Sequence, residues 1–127
     1  MVRHLILGLV AVSLLTACTT HDEQYYRTNP PALQQAIKDC SEQSSGQLTC
    51  DQLKAIAADV SQLAYELQIN PQAFGKKIIS LQNQMVAIQA QLKQNPNQTE
   101  LTQSLHTVEQ ELKDRLAIVK WLESPQG

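Results

Sequence analysis

Apolar residues recur at helical spacing in four stretches of this chain. In the first, Leu33, Ala36, Ile37 and Cys40 mark one side of a helix that Asn29 can cap, with Pro30 and Pro31 in the first turn, where proline is tolerated. In the second, Thr49 and Gln52 form a capping-box pattern ahead of a stripe of Leu53, Ile56, Ala57, Val60, Leu63, Ala64 and Leu67. Asn70 and Pro71 repeat the cap-then-proline signal. Phe74, Ile78, Leu81, Met85, Ile88 and Leu92 then follow at alternating spacings of four and three, a heptad seam. That helix stops at Asn95-Pro96-Asn97, where Asn97, with Glu100 three residues on, can cap the next. Leu101, Leu105, Val108, Leu112, Leu116, Val119 and Leu122 continue the seam, with one shift of register at Leu116. Two long helices joined by so short a turn must lie antiparallel, so residues 71–122 predict a helical hairpin.

Ile79 and Val86 add a second apolar row to the third of these helices, and Leu116, Ala117, Ile118, Val119, Trp121 and Leu122 make the end of the last one apolar on most sides. Burial of both is expected. Folding back at Pro96 brings Trp121, the lone tryptophan, towards Phe74 and Ile78, as a core residue in preference to an interface anchor. The expected fold is all-α: a small helical bundle over 29–127, from which an antiparallel coiled-coil hairpin projects with Pro96 at its tip. Residues 18–28, polar apart from Tyr25 and Tyr26 and without helical period, are expected to be a flexible tether of up to about 35 Å.

Upstream of the tether the pattern changes. Met1, Val2, Arg3 and His4 give a short basic start, and Leu5–Leu15 is an apolar run that as a helix spans only about 16 Å, half of a bilayer core. It reads as the hydrophobic region of a signal peptide over 1–17, not a transmembrane helix. The run ends on Leu15-Thr16-Ala17-Cys18, which resembles the lipobox of bacterial lipoproteins. The resemblance implies cleavage before Cys18 and a diacylglyceryl thioether on its thiol, with acyl chains of the palmitate type. Two or more chains hold a protein on its membrane, since each buried CH2 contributes about 0.8 kcal/mol. Thr19 stands where an Asp would favour inner-membrane retention, so the outer membrane is the expected address in the cell envelope.

Cleavage removes Arg3 and leaves nine basic against twelve acidic side chains, a net charge of −3, with no basic cluster to hold nucleic acid. The eighteen glutamines are spread through helical patterns and read as solvated helix surface. In an envelope compartment, with Cys18 committed to lipid, Cys40 and Cys50 are expected to form a disulfide, the alternative being two reduced, buried thiols. No metal or cofactor is expected, since His21 and His106 are far from the cysteines and no C-x-x-C spacing occurs.

No catalytic constellation is legible: there is no G-x-S-x-G, no H-E-x-x-H and no glycine-rich phosphate loop. His21, Asp22 and Glu23 fall on the expected tether, where nothing would preorganise a site. His106 reads as an exposed helix histidine, and Glu109, Glu111, Lys113 and Asp114 as a solvated face. Of Tyr25 and Tyr26, adjacent rings that cannot face the same way, one is expected to pack on the bundle and the other to be free for a partner. With them, Gln89, Gln91, Gln94, Gln98 and Gln103 on the hairpin are the candidate partner contacts, or equally plain solvated amides.

Tyr25, Tyr26, Asn29, Pro30, Leu33, Ile37, Cys40 and Cys50, just downstream of a lipobox, resemble the short entry-exclusion lipoproteins of conjugative elements. The resemblance covers Cys18 to Val60. It implies a protein on the recipient envelope that binds a component of an incoming type IV secretion or mating apparatus. The segment between the cysteines departs from that family's pattern, and the hairpin lies outside it. The expected function is therefore that of a non-enzymatic, membrane-anchored lipoprotein working by protein contact. The alternative is a structural envelope lipoprotein that self-associates along its heptad seam. Small lipoproteins of this look also carry the label of secreted endonuclease, an activity that no residue here supports.

Overall fold

A computed structural model describes residues 21–40 and 48–124. The expected signal peptide over 1–17 and the expected lipidation site at Cys18 lie outside the described residues. Five helices follow one another: α1 Glu23–Thr28, α2 Pro30–Lys38, α3 Cys50–Ile69, α4 Pro71–Gln94 and α5 Thr99–Glu123. The described residues contain no strand, and the fold is a small all-α one.

Local chemistry sets most helix ends. Thr49 caps α3 in a full capping box: its hydroxyl accepts from the Gln52 backbone N–H, and the Gln52 side-chain Oε1 accepts from the Thr49 N–H at 2.8 Å. Asn70 caps α4 by accepting from the Ala73 N–H, with Pro71 at the first helical position. Two expected caps are built differently. Asn29 precedes α2, but its amide turns back and donates to the Tyr25 carbonyl at 2.8 Å, closing α1 instead. The cap of α5 falls on Gln98 rather than Asn97, and it makes no side-chain capping bond.

Two apolar clusters hold the helices together. The larger joins Leu33 of α2, Leu53, Ile56 and Val60 of α3, Phe74 of α4 and Ile118 of α5, with Trp121, Ile78 and Tyr26 packed against it. The smaller lies within the hairpin and consists of Leu81, Val108 and Leu112, flanked by Ile78, Met85 and Ile88. Beyond Met85 and Thr107 the α4 and α5 arms have only each other as neighbours among these clusters, so the hairpin stands out from the base by about ten residues, or about 15 Å.

The seam of α5 departs from expectation at its end. It runs through Val108 and Leu112 to Arg115 and Ile118, without the expected step to Leu116. Leu116 is 44% exposed, and Leu122 is exposed too, because 100° of helical rotation per residue carries them off the contact line. The second apolar row of α4 is likewise open, with Ile79 and Val86 at 58% and 62% exposure, because no helix among the described residues covers that side. Ile79, Val86, Leu116 and Leu122 were expected to be buried and are not, whereas Ile118 at the same end of α5 is fully buried and Val119 and Trp121 pack against the larger cluster.

The stretch expected to be tether from 23 to 28 is helix α1, lying against α3 and α5. Asp22 caps it by accepting from the Tyr25 N–H at 2.9 Å. So short a helix has no stability of its own and is held by contacts from elsewhere in the chain.

Cys40, after α2, is joined to Cys50, the first residue of α3, by a disulfide. It clamps the corner between the two helices, and closing so short a loop restricts the unfolded chain by about 3 kcal/mol in the chain-entropy model. Thermal unfolding with and without reductant should show this as a fall in Tm of several degrees, and Cys40→Ser should reproduce it. An unchanged Tm would remove the disulfide from the account of stability.

Candidate interaction surfaces

The residues singled out on sequence grounds fall in two places. Around α1, His21 stacks on Tyr25 with ring centroids 3.9 Å apart, and Tyr25 meets Tyr26 edge-on at 5.3 Å. Tyr26 packs against the larger core cluster. Tyr25 has ring contacts with His21 and Tyr26, and both tyrosines are half-buried. At the hairpin, Gln89, Gln91, Gln94, Gln98 and Gln103 are all exposed. They do not form one face: Gln91 and Gln94 are neighbours on α4, while Gln89 lies about 200° round the helix from Gln91.

The face of α5 expected to be solvated is partly covered by α1. Gln24 Nε2 donates to Asp114 Oδ1 at 3.2 Å, and Arg27 of α1 bridges Glu23 at 2.7 Å and Asp59 of α3 at 2.9 Å. The groove between α1 and α5 is lined by Asp22, Glu23, Gln24 and Arg27 on one side and Thr107, Gln110, Glu111 and Asp114 on the other. Desolvation raises the pKa of Asp114, against the lowering effects of the Gln24 hydrogen bond and the Arg27 charge. The folded state therefore holds the proton more readily than the unfolded chain, and stability drains away as pH rises from the ordinary carboxylate value through the raised one. Asp114→Asn should accordingly be more stable than the parent at pH 7 and equal to it in acid below the carboxylate range. Urea unfolding at both pH values tests this, and a variant weaker at pH 7 would show that the charge is favourable there.

A third surface has no counterpart among the sequence candidates. Tyr65 and Ile69, one turn apart on α3, are 58% and 62% exposed and border a groove completed by Asn70, Ala73, Phe74 and Arg115. Arg115 forms its floor. The guanidinium lies 4.9 Å from the centroid of the Phe74 ring and bridges Glu66 at 3.4 Å and Glu111 at 3.3 Å, with its side chain only 11% exposed. Glu111 also meets Lys77 of α4 at 3.8 Å, so α3, α4 and α5 are tied together at this point. The arrangement is a ridge of two apolar side chains beside a fixed, partly neutralised cation.

This surface was legible only in part. Tyr65 falls outside the apolar stripe of α3 and Ile69 sits in its last turn, so neither carries a periodic signal. Arg115 follows Leu112 on the contact line of α5, where a charged residue gives no sign of burial. Among the described residues, no group of three or more His, Cys, Asp or Glu side chains is placed to hold a metal ion, and His106 is exposed. No helix among the described residues is long and apolar enough to cross a membrane. Comparison of the chain with protein-family models, curated proteins and solved structures finds no match.

Proposed function

We propose that this protein is an envelope lipoprotein, acylated at Cys18 and held on the outer membrane, that works by contact with another envelope protein. The lipobox Leu15-Thr16-Ala17-Cys18 supports the anchoring. The observation that carries the contact reading is the ridge of Tyr65 and Ile69 beside Arg115, since an exposed aromatic and aliphatic pair next to a desolvated arginine is the chemistry of an interface anchor. The resemblance of the stretch from Tyr25 to Cys50 to entry-exclusion lipoproteins makes the partner a component of a mating or type IV secretion apparatus.

Crosslinking of whole cells that carry the full-length protein tests the reading. The wild type should capture a mating or secretion component, and Tyr65→Gln combined with Ile69→Gln should lose it while keeping the fold, since changes at exposed positions usually shift stability by about 0.5 kcal/mol or less each. Capture that survives both changes would sink the ridge as the contact.

A second reading rests on Ile79 and Val86, seven residues apart on the open side of α4. That spacing is the beginning of a second seam and would let copies of the chain pair along α4. Recovery of nothing but the protein's own copies would favour it.

A further inference from the structure

The open side of α4 carries more than two apolar side chains. Lys76, Ile79, Asn83, Val86, Ala90 and Lys93 follow one another at spacings of three, four, three, four and three, and all six are exposed. At 100° per residue this row runs along the far side of the helix from the seam that holds Leu81 against α5. It is about 26 Å long, or nearly five turns.

The charge on this row has one sign. α4 contains Lys76, Lys77 and Lys93 and no acidic residue. Lys77 meets Glu111 of α5, whereas Lys76 and Lys93, one at each end of the row, make no ion pair among the described residues. In a chain of net charge −2 the row is therefore a local cationic strip. Asn83 stands at its middle, where a single asparagine in a helix seam sets the register of the partner. Beside the far lysine, Val86, Gln89, Ala90 and Leu92 line a hollow open to an apolar side chain from outside.

We infer that this row docks an acidic amphipathic helix of another protein, about five turns long. Its apolar side chains lie against Ile79, Val86 and Ala90, a polar one meets Asn83, and carboxylates at its two ends reach Lys76 and Lys93. A second copy of α4 is a poorer occupant. Antiparallel pairing sets the lysine at one end against the lysine at the other, parallel pairing sets each against its own counterpart, and α4 has no carboxylate to offset either. A lipid surface is poorer too, because the row is narrow, bordered by Ser80, Gln82 and Gln89, and would bury the Asn83 amide without a partner. The docking row rests on neither the lipid anchor nor the ridge at Tyr65, so each can fail without the others.

The test uses the full-length chain in neutral detergent micelles and two fluorescein-labelled peptides of three heptads each. Both carry leucine along the seam with one central asparagine; one is flanked by glutamate and the other by lysine. Fluorescence anisotropy should show the glutamate peptide binding about tenfold or more tightly than the lysine peptide, with the difference shrinking as salt is added. Lys76→Glu combined with Lys93→Glu should reverse the preference, and Ile79→Gln combined with Val86→Gln should weaken binding about tenfold with the helical circular dichroism unchanged. Equal affinity for the two peptides, no binding of either, or binding that survives the glutamine changes overturns the inference. Dimers in sedimentation that the glutamine changes dissolve overturn it in favour of a second copy. Release of the glutamate peptide when phosphatidylglycerol replaces a neutral lipid in the micelles overturns it in favour of an anionic lipid surface.

Discussion

Ile118→Ala is expected to cost about 3–5 kcal/mol, the upper part of the range for truncating a fully buried aliphatic side chain. Ile118 is 0% exposed and lies in the cluster that joins α2, α3, α4 and α5, so no single element can shift inward to fill the cavity. Against a total stability of about 5–15 kcal/mol for a domain of this kind, such a loss is about a fifth or more of the whole. Urea unfolding followed by helical circular dichroism should show a lower midpoint with an unchanged slope. Leu116→Ala, two residues away but 44% exposed, is the control and should move the midpoint little. Equal losses for the two would mean that the seam follows Leu116 after all.

The second large effect concerns location. Cys18→Ser removes the only thiol to which the proposed lipid can be attached at the lipobox, and with it two or more acyl chains, each of which adds about 0.8 kcal/mol per buried CH2. The variant should keep its signal sequence and stay with the inner membrane through the apolar run of that signal instead of reaching the outer membrane, and its mass should be that of the uncleaved, unacylated chain. Recovery of the serine variant in the outer membrane with an acylated mass would put the anchor elsewhere. The folded part should be unaffected in either case, because the described helices begin at Glu23.

The elements legible in the sequence were those whose chemistry is local. The Thr49 and Gln52 capping box, the Asn70-Pro71 start and the Asn95-Pro96-Asn97 break each act within a few residues, and each stands within a residue or two of where the pattern places it. The pairing of Cys40 with Cys50 followed from the proposed compartment and a short list of cysteines. α1 was not legible, since its six residues show no apolar period and its hold on the bundle comes from Arg27 to Asp59 and Gln24 to Asp114, partners 32 and 90 residues away. The seam beyond Leu112 was misread for a related reason. A charged residue is taken for surface until its partners are known, and Arg115 is made compatible with a buried position by Glu66, Glu111 and the face of Phe74 together. The candidate contact residues fared likewise: the glutamines were found by composition, whereas the ridge at Tyr65 exists only because α4 turns back and leaves that side of α3 uncovered.

Arg115 also divides what would otherwise be one continuous apolar seam. On one side of it lies the large cluster closed by the disulfide, and on the other only Leu81, Val108 and Leu112 with their half-buried neighbours. The two have unequal resistance to opening, so amide protons in the outer halves of α4 and α5 should exchange with solvent through local fraying, while those beside Ile118 wait for global unfolding. A hairpin that loosens and re-forms independently of its base can adjust its outer surface to what it touches while the large cluster keeps a single shape.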